Sequence, residues 1–200
     1  MTRLGWLVAL VGVAAMPLAA QRGEELPPTG FGTLKPEDVA LLFETDALRI
    51  RVLPLDERIL RLLATDSYAA LSGLKRIKAA EVDSLARRYG VMDPSLFLIT
   101  LYGLRDQVTF APEDLTVQSR GRFFRPFAFA ALSAGWSEHR LAQRGEAVAV
   151  ALFEPGIALL DDDLTVSYGA ASTTVWSRIV RALDLERSAV LSRAAAASRN

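Results

Sequence analysis

The chain contains no cysteine among its 200 residues and only one histidine, His139. The first absence excludes disulfides, thiolate metal sites, thiol nucleophiles and a lipid-modified N-terminal cysteine. The second excludes any site that needs two imidazoles. An excess of one charge is also missing, because 23 Lys and Arg balance 23 Asp and Glu. A neutral chain has no general field to draw it to nucleic acid or to an anionic membrane. The G-x-S-x-G elbow of serine hydrolases is absent, as is the spacing of a calcium-binding helix–loop–helix. A chain of this length buries roughly 70% of its unfolded surface as one domain, so its core needs no covalent staple.

The N-terminus lacks charge in a different way. Arg3 is the only charged residue before Gln21, and Leu4–Val13 is an apolar run. Pro17 interrupts any helix there, and Leu18-Ala19-Ala20 follows it, with small residues at the end. A basic start, a short apolar core and a small-residue cut site make up a secretory signal. Residues 1–20 are therefore expected to direct export, with the mature chain starting near Gln21 and the membrane met only in transit. A retained anchor is the other reading of the same residues, since 17 residues, Leu4–Ala20, lie at the short end of what spans about 30 Å of hydrocarbon.

Residues 21–36 carry Gly23, Pro27, Pro28, Gly30, Gly32 and Pro36, and are expected to form a flexible or extended lead-in. Val39–Phe43 and Ala47–Leu53 follow. In the second, Leu48, Ile50 and Val52 alternate with Arg49 and Arg51, the pattern of a half-buried strand. After Pro54, Asp56 is placed to cap a short helix reaching Leu63, and a longer helix is expected over Ser67–Tyr89. Asp66 stands at its start and Gly90 at its end. Ser95–Tyr102 is apolar at successive positions and must be covered on both sides. Strands are expected at Asp114–Ser119, Arg122–Leu132, Ala147–Phe153 and Leu164–Tyr168. Arg120-Gly121 supplies a tight turn, and Pro126 marks a bulge or edge. From Ser172 the period becomes helical, with Trp176, Ile179, Val180, Leu183 and Val190 as the apolar stripe and a fraying end at Ala194–Ala197.

Between Leu96 and Tyr168 the chain resembles the small immunoglobulin-like modules of secreted bacterial proteins. The residues that carry the likeness are Phe110-Ala111-Pro112-Glu113-Asp114-Leu115 before a strand, the Arg120-Gly121 turn, the apolar Ala147–Phe153 strand and the final Leu164–Tyr168 strand. The chain as a whole also resembles exported bacterial proteins. The cysteine pair and core tryptophan of antibody domains are missing. The resemblance implies adhesion, scaffolding or ligand capture and carries no transferable active site. The expected fold is mainly β with α: an immunoglobulin-like β-sandwich over 37–169, a helical insertion at 55–90 and a C-terminal helix at 170–200.

Asp161-Asp162-Asp163 could offer oxygens to calcium, but three consecutive acids cannot converge from extended backbone, so a solvated turn is expected. Arg120, Arg122 and Arg125, interleaved with Phe123, Phe124 and Phe127, could grip a nucleic acid or glycan. Alternation instead makes Phe123, Phe127 and Phe129 core residues. His139 lies in a loop-like segment beside Ser137 and Glu138, whose side chains diverge. Glu113 or Asp114 could pair with a distant acid. Lys75, Arg76, Lys78, Arg87 and Arg88 are interrupted by Glu81 and Asp83 and are expected on a solvated helix face. No catalytic, metal or cofactor residue is assigned. The chain is expected to be an exported, non-enzymatic binding or structural protein of the cell envelope, whose partner is another envelope protein or macromolecule and not nucleic acid. The alternative is an exported carboxylate-dependent hydrolase assisted by calcium. The helix around Trp176 is where a partner face is sought first.

Overall fold

The computed structural model describes residues 26–199. The expected signal segment therefore lies outside the described residues. The chain is α+β, with antiparallel sheets and a long C-terminal helix. A single turn of helix, α1 (Pro36–Val39), leads into β1 (Leu41–Glu44) and β2 (Leu48–Pro54). Then come α2 (Glu57–Leu60) and α3 (Thr65–Arg88), followed by β3 (Ser95–Gly103) and β4 (Val108–Thr109). A 3-10 turn at Pro112–Asp114 precedes β5 (Leu115–Ser119), β6 (Arg122–Phe124) and β7 (Ala128–Ala131). The rest comprises α4 (Ala134–Glu138), β8 (Arg140–Leu141), β9 (Glu146–Phe153), β10 (Thr165–Tyr168), β11 (Ala171–Thr173) and α5 (Trp176–Ala197).

The larger sheet has the order β1-β2-β3-β9-β7, the second β11-β10-β5-β6, and β4 pairs with β8. In β2 the alternation holds: Leu48, Ile50 and Val52 are buried, while Arg49 and Arg51 reach Glu44 and Glu37 at 2.6 and 3.3 Å. Phe97, Ile99 and Leu101 of β3 enter the core on one face. On the other, α3 lies over Leu96, and Leu55, Val82 and Val150 gather with it around a void of about 140 Å³. Lys78 ties that helix down, its Nζ donating to the Ala131 carbonyl of β7 at 2.7 Å. Arg120 and Gly121, at φ 50° and 72°, form the two-residue turn between β5 and β6. Two central residues at positive φ match the right-handed twist of the strands they join.

Several expectations need correcting. Arg122–Leu132 is not one strand. It divides around Pro126 into β6 and β7, which belong to different sheets. The buried positions keep one parity through both strands, Phe124 in β6 and Ala128 and Ala130 in β7. Phe124, opposite Val117, is the buried residue, and Phe123, assigned to the core, is 71% exposed. The His139 segment is not a loop: α4 occupies it and ends at His139 with φ 51°. α3 begins at Thr65, with Ala64 as cap residue. Asp66 lies inside the first turn, where a carboxylate still favours the helix dipole. At the other end α5 continues through Ala197, in keeping with the high helix propensity of alanine.

The lead-in is also less free than its glycines and prolines suggest. Leu34 forms a parallel bridge with Leu63, its N–H donating to the Leu62 carbonyl and its carbonyl accepting from Ala64. Glu186 secures the same segment. It sits in the apolar stripe of α5 with 9% exposure and accepts from Thr33 N–H at 2.8 Å and Thr33 Oγ1 at 2.9 Å. The Arg193 guanidinium donates to both its oxygens, at 3.0 and 3.3 Å, and also to the Phe31 carbonyl. Burial alone would raise the Glu186 pKa, but the bonds from Arg193 and Thr33 outweigh it and hold the carboxyl below the usual glutamate range. Glu186→Gln is expected to cost about 2 kcal/mol at neutral pH, the scale of a hydrogen bond to a charged group. A depressed folded pKa means that this contribution is complete above the unfolded value of about 4.3 and is lost as pH falls through the folded one. Urea titrations of both proteins from pH 7 downward should therefore converge in acid. A constant gap would show that ionisation of Glu186 is irrelevant.

Candidate functional site

A wide concavity opens where α3 ends and β3 begins, opposite the segment 155–159. Its volume is about 950 Å³. Local chemistry explains the lip. Gly90, at φ 68°, stops α3 after Tyr89, and Asp93, at φ 51°, turns the chain again before Pro94. Met92 is thereby held outward at 87% exposure, and Leu26 on the opposite rim is 40% exposed. Leu55, Val82, Ala86 and Ile157 supply an apolar floor.

One wall is charged and internally satisfied. Asp56 caps α2 as the sequence suggested, its Oδ1 accepting from Arg58 N–H at 2.8 Å and Arg58 Nε at 2.9 Å, and its Oδ2 from Arg58 Nη2 at 2.8 Å. Glu57 accepts from Lys75 Nζ at 3.0 Å, from Arg61 Nε at 3.4 Å and from the Tyr68 hydroxyl at 3.4 Å. For both carboxyls burial pushes the pKa up. Bonds and charge from Arg58 outweigh it at Asp56, and those from Lys75 and Arg61 at Glu57, so both stay below their ordinary values. The wall therefore presents fixed ion pairs at neutral pH.

The residues singled out from sequence lie mostly elsewhere. Asp161 and Asp163 serve the β5–β6 turn: Asp161 accepts from Arg120 Nε at 2.5 Å and Asp163 from Arg120 N–H at 2.7 Å. The Arg120 side chain holds Asp161 below the usual aspartate range. Among the described residues no three His, Cys, Asp or Glu side chains gather as a metal would require. His139 is a turn residue whose carbonyl accepts from Phe110 N–H and whose ring lies 5.4 Å from the Phe110 ring. Glu113 and Asp114 are exposed in the 3-10 turn. Arg122 stacks over Phe124 at 4.9 Å, whereas Phe127 leans on Tyr89, the residue that caps α3, at 5.4 Å. Of the basic residues on α3, Lys75 and Lys78 turn towards the body of the protein, while Arg76, Arg87 and Arg88 are exposed. Trp176 is wholly buried and offers no partner face.

Sequence reading missed the cleft itself. The local traces of its charged wall are the Asp56 cap and the i, i+4 spacing of Glu57 and Arg61, whereas Lys75 comes from the next helix. No family model, curated protein or solved structure matches the chain. Its function has to be read from this geometry.

Proposed function

We propose that the chain is an exported, non-enzymatic binding or structural protein of the cell envelope, built as an immunoglobulin-like β-sandwich with a helical insertion, and that a partner docks in the cleft at the end of α3. One observation carries the reading: the same cleft holds its half-buried carboxylates in fixed ion pairs and leaves Met92 and Leu26 exposed at its rims. Paired charges give register, and exposed flexible apolar side chains give contact area, which is how recognition surfaces divide the work. The inward-facing Leu115, Val117, Val166 and Phe124 of the second sheet, sharing one core with the larger sheet, support the sandwich reading. A carboxylate hydrolase is less well supported. Its general acid must keep its proton near neutrality, and Asp56 and Glu57 are both shifted the opposite way.

The lack of cysteine makes the test clean. Met92→Cys introduces one thiol at the lip, and Ile77→Cys introduces one at a 78%-exposed position of α3 outside the cleft. Each is labelled with a photo-crosslinker and irradiated in envelope fractions. A discrete adduct from position 92 and none from position 77 is the expected result. Identical adduct patterns at both would remove the cleft from the reading. Export is checked by the mass of the mature polypeptide, expected to begin near Gln21. Recovery from the cytosol, intact from Met1, would overturn it.

A further inference from the structure

The outer face of the second sheet differs from the rest of the surface. Registered pairing sets two rows across its strands: Ser172, Ser167 and Thr116 in one, and Thr165, Gln118 and Phe123 in the other. Their neighbours in sequence, Val117, Phe124, Val166 and Thr173, point into the core. The rows hold four hydroxyls, one carboxamide and one aromatic ring, and no strand residue on this face is charged in a chain where 23% of residues are. The one charged strand residue, Arg122, lies on the opposite side with Phe124. Arg120 and Arg125 stand beyond the strand ends.

Two further features suggest a ligand. None of the five polar side chains bonds to another group among the described residues, so their donors and acceptors are free to serve a ligand. Ser119, on the inner face of the same strand, by contrast accepts from Ala158 N–H at 3.2 Å. At the end of one row Phe123 is 71% exposed, with its ring beside Gln118 on the neighbouring strand.

We propose that this face binds a neutral, extended polysaccharide. Sugar rings present a C–H face that packs on an aromatic ring and a rim of hydroxyls that both donate and accept, as Ser, Thr and Gln side chains do. Strands in a sheet stand about 4.8 Å apart, close to the advance of one pyranose unit along an extended glycan. Successive sugars laid across β11, β10, β5 and β6 would therefore meet successive polar side chains and finish against Phe123. The lack of charge on the face matches an uncharged ligand, since phosphate-bearing or sulfated chains would need cations here. The site is separate from the cleft at α3 and does not depend on it.

Affinity electrophoresis tests this directly. The full chain is run in native gels containing hydroxyethyl cellulose, xylan or galactomannan, with dextran sulfate as the anionic control. Retardation in at least one neutral gel is expected, at least tenfold weaker for Phe123→Ala and kept by Phe123→Trp. Gln118→Ala should weaken it less. Phe123 is exposed, so its variants are expected to fold, and far-UV circular dichroism checks this. Absence of retardation in every neutral gel would overturn the proposal, as would retention by dextran sulfate alone. So would a dimer, seen by light scattering, that dissociates on Phe123→Ala, since the face would then belong to a second copy.

Discussion

Trp176→Ala is expected to lower the unfolding free energy by about 4 kcal/mol, within the range found when a buried aromatic is truncated. Trp176 opens α5, is 0% exposed and heads the stripe continued by Ile179, Val180 and Leu183. For a domain of this size such a loss lowers Tm by roughly 10 °C. Trp176→Phe should cost much less than its loss of volume suggests. The indole Nε1 is buried without a hydrogen-bond partner. An unpaired buried N–H costs about 1–3 kcal/mol, and phenylalanine removes it. Urea unfolding followed by far-UV circular dichroism separates the variants without relying on the deleted fluorophore. Equal losses for Phe and Ala would mean that the indole nitrogen is satisfied in solution.

Gly32→Ala is the second large effect, at about 3 kcal/mol. A Cβ at Gly32 would stand 2.4 Å from the backbone C and O of Leu62 and from the carbonyl oxygen of Leu63. Those residues cannot yield easily, because both are fully buried and Leu63 carries the bridge to Leu34. Overpacking against fixed backbone costs 1–3 kcal/mol, and here the strain falls on the segment closed by Glu186. Limited proteolysis should therefore cut the variant between residues 26 and 35 sooner than the parent. Gly73→Ala provides the contrast: its Cβ meets nothing within 4 Å in the interior of α3, and it should stabilise by about 1 kcal/mol. Equal proteolysis of Gly32→Ala and parent would show that the close approach relaxes in solution.

Much of the local structure was legible in the order of side chains. The Leu48–Ile50–Val52 alternation, the Asp56 cap and the Arg120–Gly121 turn follow from residues a few positions apart, and the unbroken apolar run of β3 called for cover on both faces. Short elements such as β4, α4, β8 and β11 were not legible, because two to five residues show too little periodicity to distinguish strand from turn. The misplacement of Phe123 has a different cause. Side-chain size put the odd-numbered phenylalanines inside, whereas the even-numbered Phe124, Ala128 and Ala130 are buried, and Phe127 and Phe129 are only half-buried, against Tyr89 and Trp136.

The candidate sites divide in the same way. That residues such as Thr116, Gln118, Thr165 and Ser167 alternate with core positions follows from a period of two, a property every strand carries locally. That they line up in rows, that Glu57 meets Lys75, and that Glu186 closes on Thr33 across 153 positions were decided by tertiary structure alone. Those contacts join groups far apart in the chain, and which ones meet depends on how the sheets and helices pack to bury their apolar faces, not on the neighbours of any one residue.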